Sequence, residues 1–558
     1  MRQHWPLAVI LAVFAAAVAA EVGWGLPGQR RSELLFPGGL SDDVLAEIIA
    51  RSQQRLADER DRPIPLRGAQ PAAPVWDRGE ALDACRRFLL YSDNPDEMLA
   101  LMALARMRPS EMDFDPGMGQ YGGAFLYPLG AWLKALSATG LIAEGNLAFY
   151  LRQPEAFGRI YVAGRIFVAL CVAAALAVAY RIGFRLAGVT GAATAAGLTA
   201  LSPAVLTWSV VLKPHAAAML PGLLAVHWAL SYYEQPSWRP LLLSAVAAGV
   251  AAGMTLSAAP LVLAALLAVW LDKRGGQRAA RTLAAAALAT AALLAVNPYH
   301  LISLGDRIEE MNHVRGFYAG AVSPWQPLAF LIGPMREAAG TVFLAGGLLA
   351  TTVLLVRQTR RAAVLLAPLA AALLLGPLGL GDWAGDPQAA RFALPVLPLA
   401  MLAVGWALDR WGPQAGRAVP GILILMLAVS LPTIVAHAMS ASGHNPRYDA
   451  GEWLNRHPGI PIVVRYPPAP YRCPTAAYLD REVLFRADPS RPSFMVRSTW
   501  HGGKSDPEGG TLVFSPGDLP WWLRSPMTFA DRDIVISWHE PPPEYPPTPA
   551  TPGLERPE

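Results

Sequence analysis

Two adjacent carboxylates, Asp96 and Glu97, open the apolar, helix-forming stretch NPDEMLALMALARM at residues 94–107. Acidic side chains are stabilised at a helix N-terminus by the helix dipole, so one interpretation is that the pair only caps the helix. The other interpretation is that a carboxylate is held there as a general base, which accepts a proton from a reacting group. Both interpretations place the pair at the start of a helix.

Two further carboxylates, Asp113 and Asp115, precede Pro116 in the segment MDFDPGMGQYGGAFLYPLGAWL at residues 112–133. Asp before Pro and Gly is typical of a turn, which is the simpler interpretation. The same pair could instead lie near an acceptor or a metal, because an acidic pocket accepts a divalent cation. No spacing of His, Asp and Glu in the sequence requires a metal.

The elements that must position these groups are membrane helices. Hydrophobic residues make up 53% and charged residues 16% of the 558 residues, whereas roughly a quarter of a soluble domain is charged. The net charge of +4 is spread over short loops and does not indicate nucleic-acid binding. The apolar blocks predict about eleven transmembrane helices, at residues 7–21, 161–180, 188–205, 214–231, 240–256, 258–271, 282–297, 338–356, 362–380, 392–408 and 418–438.

Charges in the loops predict how these helices are oriented. The five loops that would be cytoplasmic hold 12 basic and 3 acidic residues. The three later loops that would be outside hold 4 basic and 6 acidic residues. Because positive residues stay inside, the N-terminus is predicted to be cytoplasmic. The 42 Arg against 4 Lys, with much Ala, indicate a bacterial chain, and hence the inner membrane.

The predicted organisation has five parts. They are a first transmembrane helix at 1–22, an extracytoplasmic loop with interfacial helices and the acidic site at 23–160, a helical bundle at 161–438, an extracytoplasmic α+β domain at 439–540 and a Pro-rich disordered tail at 541–558. The α+β domain is predicted from the helix-forming segment YDAGEWLNRH and the β-like runs IPIVVRY, TLVFS and DIVISW. The first block would also fit a cleavable signal peptide; the loop charges favour an uncleaved span.

The order of these motifs resembles the GT-C superfamily of membrane glycosyltransferases, which includes protein O-mannosyltransferases and lipid A aminoarabinose transferases. NPDE (94–97) is similar to the acidic pair that follows the family's first span, and DFDP to YPLG (113–130) is similar to its second acidic element. Other similar segments are LSPAVLTWSVVLKPH (201–215), VNPYHL (296–301), RFALPVLPLAML (391–402) and EWLNRHPGIPIVVRYPPAPYRCP (452–474). The chain departs from many relatives at Lys213-Pro214-His215, where they carry an acidic residue after the proline.

The resemblance implies inverting transfer of a sugar from a polyprenyl-phosphate-linked donor to the hydroxyl of an extracytoplasmic glycan, lipid or protein. Asp96 would be the general base, and Glu97 would position Asp96 or the acceptor. Cations near the outer surface would stabilise the leaving phosphate. The candidates are Arg391, which is the strongest because its loop is otherwise acidic, Lys213, Arg159 and Arg165. A divalent cation is the one cofactor left open.

Two other classes of function are compatible with the sequence. A transporter or lipid flippase needs ionisable residues near the middle of the membrane and often has inverted repeats. The apolar blocks are nearly free of such residues at their centres, with His227 the main exception. A non-catalytic membrane scaffold would use the outer domain to bind a partner.

Overall fold

The structure is a computed structural model. It describes residues 5–59, 76–272, 277–318, 322–357, 359–410, 412–486, 492–499, 511–515 and 533–539. Within these ranges the chain is mostly helical and has one small mixed sheet near its C-terminal end, as the sequence predicts. The tail predicted to be disordered, 541–558, lies outside the described residues.

The first apolar block forms α1 (Trp5–Glu21), and the polar segment after it folds into short helices. The helix that starts at Arg78 is capped by Asp77, whose carboxylate accepts a hydrogen bond of 2.7 Å from the backbone N–H of Glu80. The helices of this segment are α2 (Gln29–Leu35), α3 (Asp42–Glu59), α4 (Arg78–Leu90), α5 (Glu97–Arg106), α6 (Gly123–Ala138) and α7 (Leu147–Arg152).

A long helix, α8 (Pro154–Ala200), begins the bundle and contains the predicted span at 161–180 and most of that at 188–205. It bends at Ala187 and Gly188, where Gly188 has φ of +60°, a conformation that glycine adopts without the steric cost of a Cβ atom. The bundle continues with α9 (Pro203–Ser209), α10 (Pro214–Ala217), α11 (Met219–Glu234), α12 (Trp238–Met254), α13 (Val262–Trp270), α14 (Arg278–Ala295), α15 (Tyr299–Ile302), α16 (Leu304–Tyr318), α17 (Gln326–Phe330), α18 (Arg336–Ala339), α19 (Thr341–Arg357), α20 (Thr359–Leu375), α21 (Leu397–Arg410) and α22 (Pro413–Ala441).

Fewer helices than eleven meet a strict length test for crossing a membrane. Among the described residues, four apolar helical stretches are long enough, and up to seven if each sharply bent pair of helices is one span. This establishes an integral membrane protein. The shorter apolar helices Trp5–Glu21, Trp238–Met254 and Leu256–Trp270, together with the bend in α8, leave room for eleven crossings, a number that stays a prediction.

The C-terminal part forms α23 (Pro446–Asn455) and a five-stranded sheet in the order β2-β1-β3-β5-β4. β1 pairs in parallel with β2 and β3, whereas β5 pairs antiparallel with β3 and β4. The predicted helix and three predicted strands are present, whereas β2 and β3 were not predicted. The strands are β1 (Ile462–Val464), β2 (Val483–Leu484), β3 (Ser493–Thr499), β4 (Thr511–Phe514) and β5 (Asp533–His539).

One buried arginine joins the outer helices to this C-terminal part. Arg31 is fully buried and donates hydrogen bonds to the Asp93 carboxylate at 2.7 Å and to the Tyr448 hydroxyl at 3.1 Å. It also donates to the carbonyl oxygens of Tyr91 and Gly25. A buried guanidinium with so many acceptors fixes their relative positions, and it therefore anchors the loop that leads to Asp96.

Candidate active site

The loop between α4 and α5 is held by hydrogen bonds on both sides. The backbone N–H of Asp93 donates to the Gly25 carbonyl at 2.8 Å, and the Asp93 carboxylate accepts from Asn445 at 2.8 Å. Gly25 has φ of +59°, and a Cβ atom there would lie 2.6 Å from the Cβ atom of Asp93. Glycine is therefore required at this position, because any other residue would displace the loop.

Glu97 is a buried structural centre. Its two carboxylate oxygens accept hydrogen bonds of 2.8 and 2.7 Å from the guanidinium of Arg165, and both side chains have no exposed surface. The Ser92 hydroxyl and the backbone N–H of Leu212 donate to the same carboxylate at 2.5 and 2.7 Å. A buried ion pair is stable only when its remaining hydrogen-bonding capacity is also used, as it is here.

Arg165 completes this centre by reaching the end of the first helix. Its remaining terminal nitrogen donates hydrogen bonds of 2.7 Å to the carbonyl oxygens of both Val22 and Trp24. The Trp24 indole in turn donates to the Val210 carbonyl at 3.3 Å. The turn before Lys213 is thus held at Val210 and at Leu212, so Glu97 and Arg165 position the lysine.

Asp96 lies in a different environment. It occupies the cap position of α5, yet its side chain makes no capping hydrogen bond. Instead, its carboxylate contacts the ammonium group of Lys213, in the extended turn between α9 and α10. The Asp96 side chain is 30% exposed, whereas that of Lys213 is 2% exposed. The structure therefore does not support the interpretation that Asp96 only caps the helix.

Arg391 brings a second cation to this group. It lies in the short helix Pro387–Ala393, is 8% exposed, and donates to the Gln388 carbonyl at 3.2 Å. Arg391 and Lys213 both lie over the ring of Trp208, at 5.8 and 5.2 Å from its centroid. Cations over an aromatic face are attracted to it, so the buried Trp208 holds both charges in place.

These charges set the protonation of the site. Burial acts to raise the pKa of Asp96, but the charges of Lys213 and Arg391 and the contact with Lys213 outweigh it and hold that pKa below its usual range. Burial and the charge of Arg391 lower the pKa of Lys213 to about 8, although Asp96 opposes this. At neutral pH the site therefore contains an ionised carboxylate and a protonated lysine.

The structure does not bring Asp113 and Asp115 into this group. Asp113 pairs with Arg108 at 2.8 Å, and its carboxylate also accepts from the backbone N–H of Asp115 at 3.0 Å. Asp115 accepts from Arg307 at 2.8 Å and from the backbone N–H of Gly117 at 2.8 Å. Both residues therefore shape a turn. In the part of the chain that the structure describes, no three His, Cys, Asp or Glu side chains converge to hold a metal.

Two of the predicted phosphate ligands lie elsewhere. Arg165 has no exposed surface and its charge is matched by Glu97, an arrangement that fits a positioning role better than the predicted contact with phosphate. Arg159 is exposed on the first turns of α8. The structure groups the other two, Lys213 and Arg391, with Asp96. No local signal in the sequence shows that Glu97 would pair with a residue 68 positions away.

A large apolar cavity lies beside α5. Its volume is about 1040 Å³, and Met98 and Leu101 of α5 line it. Most of its other lining side chains are aliphatic or aromatic and come from α6, α7, the start of α8 and the region around Tyr299. A cavity of this size and composition fits an apolar chain.

Comparison with known families finds one match, to part of the chain. Residues 155–302 match the dolichyl-phosphate-mannose-protein mannosyltransferase family. The match covers about a quarter of the chain and agrees, over that segment, with the resemblance to GT-C glycosyltransferases. The matched segment includes Arg165 and Lys213, whereas Asp96 precedes it and Arg391 follows it. No curated protein matches the sequence.

Several solved structures are similar to this chain at low identity. ArnT from Cupriavidus metallidurans bound to undecaprenyl phosphate is 14% identical, over 82% of this chain and 96% of that chain, with a TM-score of 0.42. The Archaeoglobus fulgidus oligosaccharyltransferase in complex with Zn and sulfate is 12% identical, over 65% of this chain and 54% of that chain, with a TM-score of 0.38. The chain thus spans about half the length of that archaeal enzyme.

Proposed function

We propose that this protein transfers a sugar from a polyprenyl-phosphate-linked donor to an acceptor hydroxyl, with inversion at the anomeric carbon, and that Asp96 is the general base. The observation that carries the proposal is the grouping of Asp96, Lys213 and Arg391. One partly exposed carboxylate can reach a substrate, and the two cations beside it match a phosphate leaving group.

The proposed reaction is a single displacement. The carboxylate of Asp96 takes the proton of the acceptor hydroxyl while that oxygen attacks the anomeric carbon. The bond between this carbon and the phosphate oxygen breaks, and the electron pair leaves with the phosphate. Lys213 and Arg391 stabilise the negative charge that develops there. Glu97, which is fully buried, acts by positioning Lys213 rather than by touching the acceptor.

Lys213 links donor binding to the strength of the base. In the structure its ammonium contacts Asp96 and, with Arg391, lowers the pKa of that carboxylate. A donor phosphate is a competing anionic partner for the same ammonium group. Movement of Lys213 towards the phosphate would remove part of the charge that lowers the pKa of Asp96. The carboxylate would then become a stronger base only when the donor is bound.

The cavity beside α5 supports a substrate with a long apolar chain. Met98, two positions after Asp96 in the chain, is one of its lining residues, and α6 and α7 contribute others. We infer that it holds isoprenoid units next to the sugar phosphate, because burial of apolar surface there stabilises a bound lipid. The charges beside Asp96 are supplied by Lys213 and Arg391, and the proposed steps use no metal ion.

We infer the orientation from the charges of the loops. The N-terminus would be cytoplasmic, the bundle at 161–438 would cross the bacterial inner membrane, and 23–160 and 439–540 would lie outside. The active site is then extracytoplasmic. Transport, lipid flipping and a scaffold role would each leave the lipid-linked sugar bond intact.

The proposal is tested with the purified full-length protein in nanodiscs that contain an undecaprenyl-phosphate-linked sugar. Release of undecaprenyl phosphate that depends on an added acceptor is expected from the wild type. The variant Asp96→Asn should release it more slowly by a factor of roughly 10²–10⁴, the usual contribution of a general base. The matched control is Asp449→Asn, at an aspartate of α23 that is 53% exposed. Equal rates for both variants would contradict the role of Asp96.

A further inference from the structure

A second group of cations lies where the C-terminal domain meets α4. The segment after β1 carries Arg465, Tyr466, Tyr471 and Arg472, and Arg87 of α4 packs against it. The guanidinium of Arg472 lies 5.1 Å from the ring centroid of Tyr466 and 4.8 Å from that of Tyr471. That of Arg465 lies 5.3 Å from the Tyr466 ring. These five residues are called the arginine–tyrosine cluster.

The position of Arg87 is set by the backbone of this segment. Its Nε atom donates a hydrogen bond of 3.2 Å to the carbonyl of Pro468. Behind it, Phe88 stacks on Tyr478 with ring centroids 5.3 Å apart, which fixes α4 against the domain. Pro467, Pro468 and Pro470 restrict the backbone between the two tyrosines. The cluster is thus built on rigid elements.

The three arginines of the cluster are not paired with carboxylates of the described residues. In the described ranges, no carboxylate forms a salt bridge with any of its three arginines. One terminal nitrogen of Arg87 is buried without a hydrogen-bond partner, and so is the Nε atom of the adjacent Arg86. Buried donors without acceptors are costly, so this nitrogen of Arg87 is available to an ordered water or to an anionic group.

The cluster is close to the candidate base. Burial raises the pKa of the Tyr471 hydroxyl, and the negative charge of Asp96 contributes to the rise, although Arg472 and Arg87 oppose it. Arg87 lies in the last turn of α4, and the loop that runs from this turn to α5 carries Asp96, so the cluster and the candidate base adjoin the same loop. Tyr466 is 38% exposed and Arg465 is also exposed, so a ligand can approach the cluster from solvent.

We propose that the arginine–tyrosine cluster binds the acceptor, and that the acceptor is an anionic glycan, a carbohydrate that carries carboxylate or phosphate groups. Guanidinium groups bind both anions through paired hydrogen bonds, and the tyrosine rings beside Arg465 and Arg472 hold these two groups in place. That this ligand is the acceptor rests on the proposed function. Lys213 and Arg391 belong to other elements, so the donor phosphate and the acceptor use separate cations.

Binding is measured first, without a donor, so that turnover is not needed. The full-length protein in phosphatidylcholine nanodiscs is titrated with fluorescent hexagalacturonate, which carries carboxylates, and with neutral maltohexaose. Hexagalacturonate should bind at least about tenfold more tightly, and added salt should weaken it. The double variant Arg465→Gln with Arg472→Gln should lose about tenfold or more of that affinity. Both side chains reach the surface, so folding should be preserved.

The matched control is Arg456→Gln, an arginine of the same domain that is 69% exposed and paired with Glu452. It should bind hexagalacturonate as the wild type does. Equal affinity for the two sugars, or an unchanged affinity in the double variant, would overturn the inference.

The two proposals can fail separately. If hexagalacturonate binds through the cluster but no undecaprenyl phosphate is released with any acceptor, the proposed function is wrong and the binding site stands. If undecaprenyl phosphate is released equally with neutral and anionic acceptors, the proposed function stands and the inference about the acceptor is wrong.

Discussion

Asp96 and Glu97 are neighbours in the chain, but their side chains point into opposite environments. The Asp96 carboxylate is 30% exposed and contacts Lys213, whereas the Glu97 carboxylate has no exposed surface and is enclosed by Arg165, Ser92 and the backbone of Leu212. The two side chains point in different directions because successive side chains on a helix differ in direction by about 100°. One carboxylate is available for chemistry and the other holds the site together.

The two carboxylates should therefore respond differently to the loss of charge. Glu97→Gln leaves the buried Arg165 without a counter-charge, and the free energy of unfolding should fall by about 3–5 kcal/mol. Asp96→Asn removes a partly exposed charge and should change stability little while activity falls sharply. Thermal unfolding in detergent and release of undecaprenyl phosphate should be measured for both. A Glu97→Gln protein as stable as the wild type would contradict the buried pair.

The alkaline limit of activity should be set by Lys213. Because burial and Arg391 lower its pKa to about 8, its charge is present below this pH and is lost as the pH rises through it. The value of kcat/KM for the donor should decrease above about pH 8. In Lys213→Arg the charge persists to higher pH, so this decrease should be absent or shifted upward. An identical pH profile for both proteins would show that Lys213 does not carry the effect.

Arg391 should not be replaceable by lysine if it binds phosphate oxygens. Its planar guanidinium can donate two parallel hydrogen bonds, which an ammonium group cannot reproduce. Arg391→Lys should thus lose activity nearly as much as Arg391→Ala, with a larger effect on the donor KM than on the acceptor KM. Kinetics with each substrate varied in turn provide the measurement. A fully active Arg391→Lys protein would leave the arginine only an anchoring role.

The predicted orientation can be tested with single cysteines in intact cells. Gln235 and Gly385 are exposed in the structure, in loops predicted to be cytoplasmic and extracytoplasmic respectively. Gly385→Cys should react with an impermeant maleimide, whereas Gln235→Cys should react only after the cells are opened. The native Cys85 and Cys473 are buried and should contribute little background. The reverse labelling pattern would show that the predicted orientation of the helices is wrong.

The sequence by itself determined the helical membrane class, the position of the acidic pair at a helix start, and most of the C-terminal elements. These features depend on local composition and periodicity, which are visible in any short window. β2 and β3 were missed because a two-residue strand carries almost no local pattern, and β3 (SFMVRST) has only three consecutive apolar residues between polar ones.

Only the tertiary structure decided which charges meet. Asp96 and Lys213 are 117 positions apart, Glu97 and Arg165 are 68 apart, and Arg87 and Pro468 are 381 apart. Arg165 and Lys213 are both cations near the outer end of apolar blocks, and no local property distinguishes the buried structural one from the one beside the base. The distinction arises from packing: the pairing that leaves no buried charge uncompensated places Arg165 on Glu97 and leaves Asp96 facing Lys213.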